Sequence, residues 1–140
     1  MDYSGKVDLS KYIGIPYRRY GEEFTGCDCW GLIRLFYRNE FRFELPQTEP
    51  FDRSDNETVS REIKRTKVKW NRIKTARLGD VIVLNIAGYS MHTALAVTNS
   101  MMIHTLENHD SVIESFRSMK WEKRIEGIYR WRRHFFEGRY

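Results

Sequence analysis

The sequence predicts an α+β domain, with helices near the N-terminus packed on an antiparallel sheet of about five strands. Three observations predict it. A 3.6-residue apolar period runs through residues 28–40, where Trp30, Ile33, Phe36 and Tyr37 share one face with Leu32 and Leu35 beside it. From Leu78 the pattern changes to short apolar runs separated by turn residues. The helical stretches come first and the strands follow as a block.

Residues 8–17 read as a short helix or turn, broken by Gly14 and Pro16. A loop with Gly21 and Gly26 leads to Cys27. Asp28 is then an acceptable N-cap, because its carboxylate can accept a first-turn N–H, and Arg34, Arg38 and Glu40 lie away from the apolar face. Pro46 and Pro50 mark a loop. Asp55-Asn56-Glu57 starts a second, highly charged helix reaching about Lys67, with a thin stripe of Val59 and Ile63. Strands are expected at 81–84, after a turn at Gly79-Asp80, and at 92–97, 101–105, 111–115 and 127–132. Residues 119–124 read as a short helix or loop.

The chain of 140 residues is enough for one compact domain, 1–140, without repeat, low-complexity tract or linker. Its apolar fraction of 41% supports a packed core rather than disorder. The two cysteines, Cys27 and Cys29, are one residue apart and poorly placed to bridge each other, so a reducing compartment is the simpler expectation. The N-terminus lacks an apolar signal-peptide core, and no run approaches the ~18 apolar residues of a membrane span. A formal charge of +5 permits attraction to nucleic acid, anionic wall polymer or a membrane surface without choosing among them.

The residues that carry chemistry are Cys29, His92 and His104. A helix N-terminus carries partial positive charge, which favours thiolate over thiol. An imidazole can take the thiol proton and return it to a leaving amine, and a second imidazole can fix the tautomer and angle of the first. Asp28 and the helix start are read as the electrostatics of the site, and Gly31 as leaving room beside the thiol. If His92 faces inward, so do Ala94 and Ala96, by the period of two. A hairpin turning near Asn99-Ser100 brings His92 broadly opposite the region of His104. The plainer alternatives are a core cysteine and a strand-end histidine.

Cys27 is read as a loop cysteine with no catalytic part. A zinc site from Cys27, Cys29, His92 and His104 is disfavoured by the Cys-x-Cys spacing, so neither metal nor cofactor is expected. His109 belongs to a turn, and His134 to a basic, aromatic C-terminus without further signal. The basic run from Arg61 to Lys74, with Trp70 inside it, has the composition to grip phosphate and stack a base. It reads more simply as a solvated helix face, or as a surface for docking onto an anionic wall polymer or another protein.

Taken together, Gly14-Ile15-Pro16-Tyr17, Gly21, Gly26-Cys27-Asp28-Cys29-Trp30-Gly31-Leu32, Leu78-Gly79-Asp80-Val81, His92-Thr93-Ala94-Leu95-Ala96-Val97 and Met102-Ile103-His104 resemble the NlpC/P60 cysteine peptidases over about residues 12–130. The resemblance implies a papain-like fold. It makes Cys29 the nucleophile, His92 the general base and acid, and His104 the residue orienting His92. Tyr17 matches the family's active-site tyrosine, implied to bind substrate or stabilise the oxyanion. The implied substrate is the peptide stem of peptidoglycan. Trp30 stands where most members have serine, and Arg19-Tyr20-Gly21 where an aromatic-Gly-Gly is usual. Both departures, with the absent signal peptide, resemble the bacteriophage tail-assembly and tail-tip branch. That branch implies a virion protein made in the host cytoplasm, with other tail proteins as partners. The alternatives are a structural tail component with little hydrolase activity and, on the basic run alone, a nucleic-acid-binding module, although nucleic acid is not the expected partner.

Overall fold

The computed structural model describes residues 7–45, 70–86 and 89–131, with backbone alone for 89–91. The charged helix expected near 55–67 and His134 lie outside the described residues.

A 3-10 turn, Leu9–Tyr12, begins behind Asp8, whose carboxylate accepts the Ser10 N–H at 3.1 Å. The stretch expected to be a loop before Cys27 contains a small hairpin, β1 (Glu22–Glu23) and β2 (Gly26–Cys27). It leads into the helix α1 (Cys29–Phe36). The apolar period predicted one helix over 28–40. Instead α1 passes into a π-helical turn, Tyr37–Phe41, which ends at Arg42 in a left-handed conformation with φ 53°. Periodicity does not separate the two turn types. What holds the wider turn is tertiary packing: Tyr37 meets Phe36, Phe41 and Trp70 edge-on, and its hydroxyl donates to the Gly79 carbonyl.

The sheet has six strands, β3 (Trp70–Ile73), β4 (Val81–Ile86), β5 (Tyr89–Ala96), β6 (Met101–His104), β7 (Val112–Ser115) and β8 (Ile125–Trp131). They lie in the order β3-β8-β4-β5-β6-β7, and every neighbouring pair is antiparallel. The α+β class is as predicted, and β3 is the strand beyond the expected five. It hides inside the basic run because only its ends turn inward: Trp70 is buried, Asn71 and Arg72 are exposed, and Ile73 is half-buried. Trp70 packs against Trp30, Tyr37 and Trp131, so it offers no free face to a nucleobase. Its pairing partner Trp131 is 61 residues away in sequence.

Alternation along the strands divides the core into two layers. On one face Val81, Val83, Leu95, Val97 and Ile103 meet Leu32, Ile33 and Phe36 of α1. On the other, Ile82, Leu84, Ala94, Ala96 and Met102 lie beneath Phe116 and Trp121. Each large aliphatic or Phe side chain buried in this way contributes about 1.5–3 kcal/mol relative to exposure. The Gly79-Asp80 turn is locked from both sides. Gly79 holds φ 98°, a region that suits glycine. The buried Asp80 carboxylate accepts Arg130 Nε and Nη2 at 2.8 Å each and the Arg77 N–H at 2.7 Å. Among the described residues no helix is long and apolar enough to cross a membrane.

Candidate active site

Cys29 is the first residue of α1 and is half-buried. Asp28 caps the helix as expected, its Oδ1 accepting the Gly31 N–H at 2.8 Å. Its Oδ2 accepts the Tyr20 N–H at 2.8 Å, which fixes the preceding loop where Tyr20 holds φ 64°. The carboxylate is thus bound to backbone amides on both sides. Its charge does not help form an anion nearby: it raises the pKa of both Tyr17 and Cys27, holding each in its neutral form. The electrostatic contribution expected of Asp28 is therefore positional, and the favourable field at Cys29 comes from the helix end.

Gly31 also differs from expectation. A Cβ there would overlap the Gly21 carbonyl oxygen. The missing side chain makes room for the backbone of the loop before α1, not for a substrate beside the thiol. Gly21 in turn presses on the Gly26 carbonyl, so hairpin and helix start interlock.

Cys27 lies on β2, not in a loop, and is fully buried. Burial, then the charges of Asp28 and Cys29, push its thiol up to about 12. Tyr17 bridges Cys27 in parallel and is half-buried. Burial, followed by Asp28 and Cys29, pushes its phenol up to about 12, so it stays a proton donor at neutral pH close to the helix start.

The two histidines come together. His92 Nε2 and His104 Nδ1 are 2.8 Å apart, with both rings buried. Leu95 pairs with Ile103 and Ala96 with Met102, so continuing the register one step sets Ala94 opposite His104 and His92 diagonal to it. His92, Ala94 and Ala96 share one face, as predicted. Burial and then the His104 charge hold His92 well below the usual imidazole range. Burial lowers His104 too, partly offset by Glu114. Both rings therefore rest neutral near pH 7. Tyr17 and the start of α1 form one group, the two rings another, and α1 packs directly against β5.

Two residues that sequence reasoning missed complete the histidine side. Glu114 Oε2 lies 2.6 Å from His104 Nε2. Trp121 is buried against both rings, stacked on His92 at 5.9 Å and edge-on to His104 at 5.2 Å. Nothing in the local pattern of either residue marks it; for Glu114 the available signal was its even spacing from Val112 on a strand next to that of His104. The Trp121 N–H reaches no acceptor within hydrogen-bonding distance among the described residues, yet lies close enough to Glu114 to favour its negative charge. His109 is exposed in a turn, as expected.

In chemical terms the two groups supply a thiol at a helix N-terminus with a phenol donor beside it, and a neutral imidazole braced by a second ring. That set suits acyl transfer through a covalent thioester.

A model of the NlpC/P60 family matches residues 14–130. Murein DD-endopeptidase MepS/Murein LD-carboxypeptidase of Escherichia coli K12 is 25% identical over 111 residues, covering 79% of this chain and 53% of that protein. The chain therefore spans about half the length of the curated relatives it matches. Among solved structures, a lipoprotein-like NLP/P60 family protein of Staphylococcus aureus superposes with a TM-score of 0.65 at 22% identity, over 93% of this chain and 42% of that one. The NlpC/p60 domain of the peptidoglycan hydrolase SagA superposes with a TM-score of 0.58 at 19% identity, over 86% and 90%. These two likenesses are of fold.

Proposed function

Since the chain belongs to the NlpC/P60 family, we propose that it is a cysteine peptidase cleaving amide bonds in the peptide stems of peptidoglycan. The observation that carries this reading is the buried His92–His104 hydrogen bond on strands beside the helix that Cys29 begins. The names of the murein endopeptidase and of SagA supply the substrate class.

In this mechanism Cys29 is the nucleophile, His92 the base and His104 the ring that orients it. His92 uses Nδ1, the nitrogen that His104 does not engage. It takes the Cys29 proton as sulfur attacks the amide carbonyl. The oxyanion meets the Tyr17 hydroxyl and backbone N–H groups at the start of α1. His92 returns the proton to the leaving amine, and water, deprotonated by His92, hydrolyses the thioester and frees the thiol.

We further propose that the protein works in a phage tail. What supports this is sequence: Trp30 after the cysteine and Arg19-Tyr20 before Gly21, departures from the usual family pattern that resemble the tail branch. Tail proteins would then be its partners.

The test is digestion of purified muropeptides by wild type and Cys29→Ala, with products identified by mass. Wild type is expected to split the stem peptide and Cys29→Ala to leave it whole. Intact muropeptides with the folded wild type would replace this reading by the structural tail component. Cleavage by Cys29→Ala would remove Cys29 as nucleophile.

A further inference from the structure

The proposed chemistry leaves one charged group of the site without a task. Glu114 sits on β7 with its carboxylate 2.6 Å from His104 Nε2 and about a third of its side chain exposed. We propose that Glu114 is a positioning residue. By holding the proton on His104 Nε2 it holds the proton on His92 Nε2, and so leaves the His92 Nδ1 lone pair free to accept a proton. This rests on the reading of Cys29 and His92 as nucleophile and base.

The argument follows from donors and acceptors. Burial by itself would raise the Glu114 carboxyl, but the His104 hydrogen bond, with Trp121 and Lys120 nearby, holds it below the usual glutamate value. An ionised carboxylate only accepts, so His104 must present N–H at Nε2. A neutral ring carries one N–H, so His104 Nδ1 is an acceptor. The hydrogen bond at 2.8 Å then requires N–H at His92 Nε2. His92 is neutral as well, so its Nδ1 carries the free lone pair. Without Glu114 the pair can reverse: His104 can donate from Nδ1, and His92 then carries its proton on Nδ1, where a base cannot receive another.

The placement is built into the sheet. Val112 pairs with His104 and Met102 with Glu114, so Glu114 is the diagonal neighbour of His104 on the same face. His92 stands in the same diagonal relation one strand further on. The three groups thus step across β5, β6 and β7. Trp121 covers both rings and excludes water that would compete for their nitrogens. The charged and titratable groups acting on His104 are Glu114 from β7, His92 from β5 and Lys120 from the segment before Trp121.

The test reads tautomers directly, by ¹⁵N NMR of imidazole-labelled wild type, Glu114→Ala and Glu114→Gln at pH 7.5 without substrate, alongside the pH profile of kcat/KM. Wild type is expected to show both rings as the Nε2–H form. Glu114→Ala is expected to populate Nδ1–H on both rings and to lower kcat/KM tenfold or more, chiefly through kcat. Glu114→Gln keeps an acceptor oxygen but no charge, so it should recover much of the tautomer while the acid limb of its profile moves to lower pH, because the rings lose the charge that favours their protonation. A merely structural role would lower stability without moving tautomer or profile. An Nδ1–H form of His104 in the wild type, or ring spectra unchanged in Glu114→Ala, would overturn the proposal. Absent hydrolysis with the expected tautomers would instead count against the peptidase reading alone.

Discussion

At Cys27 burial, then Asp28 and Cys29, push the thiol up to about 12, while Cys29 two residues later lies half-buried at the head of a helix. Thiolate is the reactive form, so the difference is kinetic as well as structural. At pH 7 Cys27 is held as the unreactive thiol, whereas an ordinary thiol, at about 8.5, already carries roughly a few per cent of thiolate. Iodoacetamide is therefore expected to alkylate Cys29 and leave Cys27 untouched in the folded protein, with mass mapping of the peptides as the readout. His92→Ala should slow labelling of Cys29. Comparable labelling of the two cysteines, indifferent to His92, would remove the chemical distinction between them. Cys29 stood out in the sequence because Asp28 and the apolar face that follows announce a helix start. Glu114 and Trp121 did not, because their roles exist only once three strands and a loop are assembled.

At the scale of elements, the start of α1 shows how closely a motif can be tied to packing. Gly31 admits the Gly21 carbonyl, Asp28 bonds both Gly31 and Tyr20, and Gly21 abuts Gly26. Gly31→Ala is expected to lower stability by about 1–3 kcal/mol or more, since the obstacle is backbone and cannot rotate away. Urea unfolding measures it, and a midpoint equal to that of wild type would mean that the β1–β2 hairpin shifts without cost. The second half of the expected helix became a π turn for a comparable reason. Its side-chain period fits either turn, and the Tyr37 contacts with Trp70 and Gly79 decide.

For the whole molecule, the buried histidines make stability depend on pH. Both His92 and His104 are lowered in the folded state, chiefly by burial. Below about 6.5 the unfolded chain binds protons that the folded state refuses, so stability falls as pH falls through that value. Each such proton contributes a slope of up to about 1.4 kcal/mol per pH unit. Glu114, also lowered, adds to the loss only in the acid range below the ordinary glutamate value. Urea midpoints at pH 7, 6 and 5 are expected to fall in that order, with a shallower decline in His92→Gln. A decline equally steep in that variant would show that other groups take up the protons.

The sequence by itself determined the α+β class, the capped start of α1, the placement of His92 with Ala94 and Ala96, and five of the six strands, at the positions where short apolar runs lie between turns. These follow from local periods and from residues that act on their near neighbours in the chain. Only the tertiary structure decided that Trp70 pairs with Trp131, that Gly31 serves the Gly21 backbone, and that Glu114, His104 and His92 form one diagonal across three strands. Each of these depends on register between segments distant in sequence, and a shift of one residue would turn the same side chains to the other face.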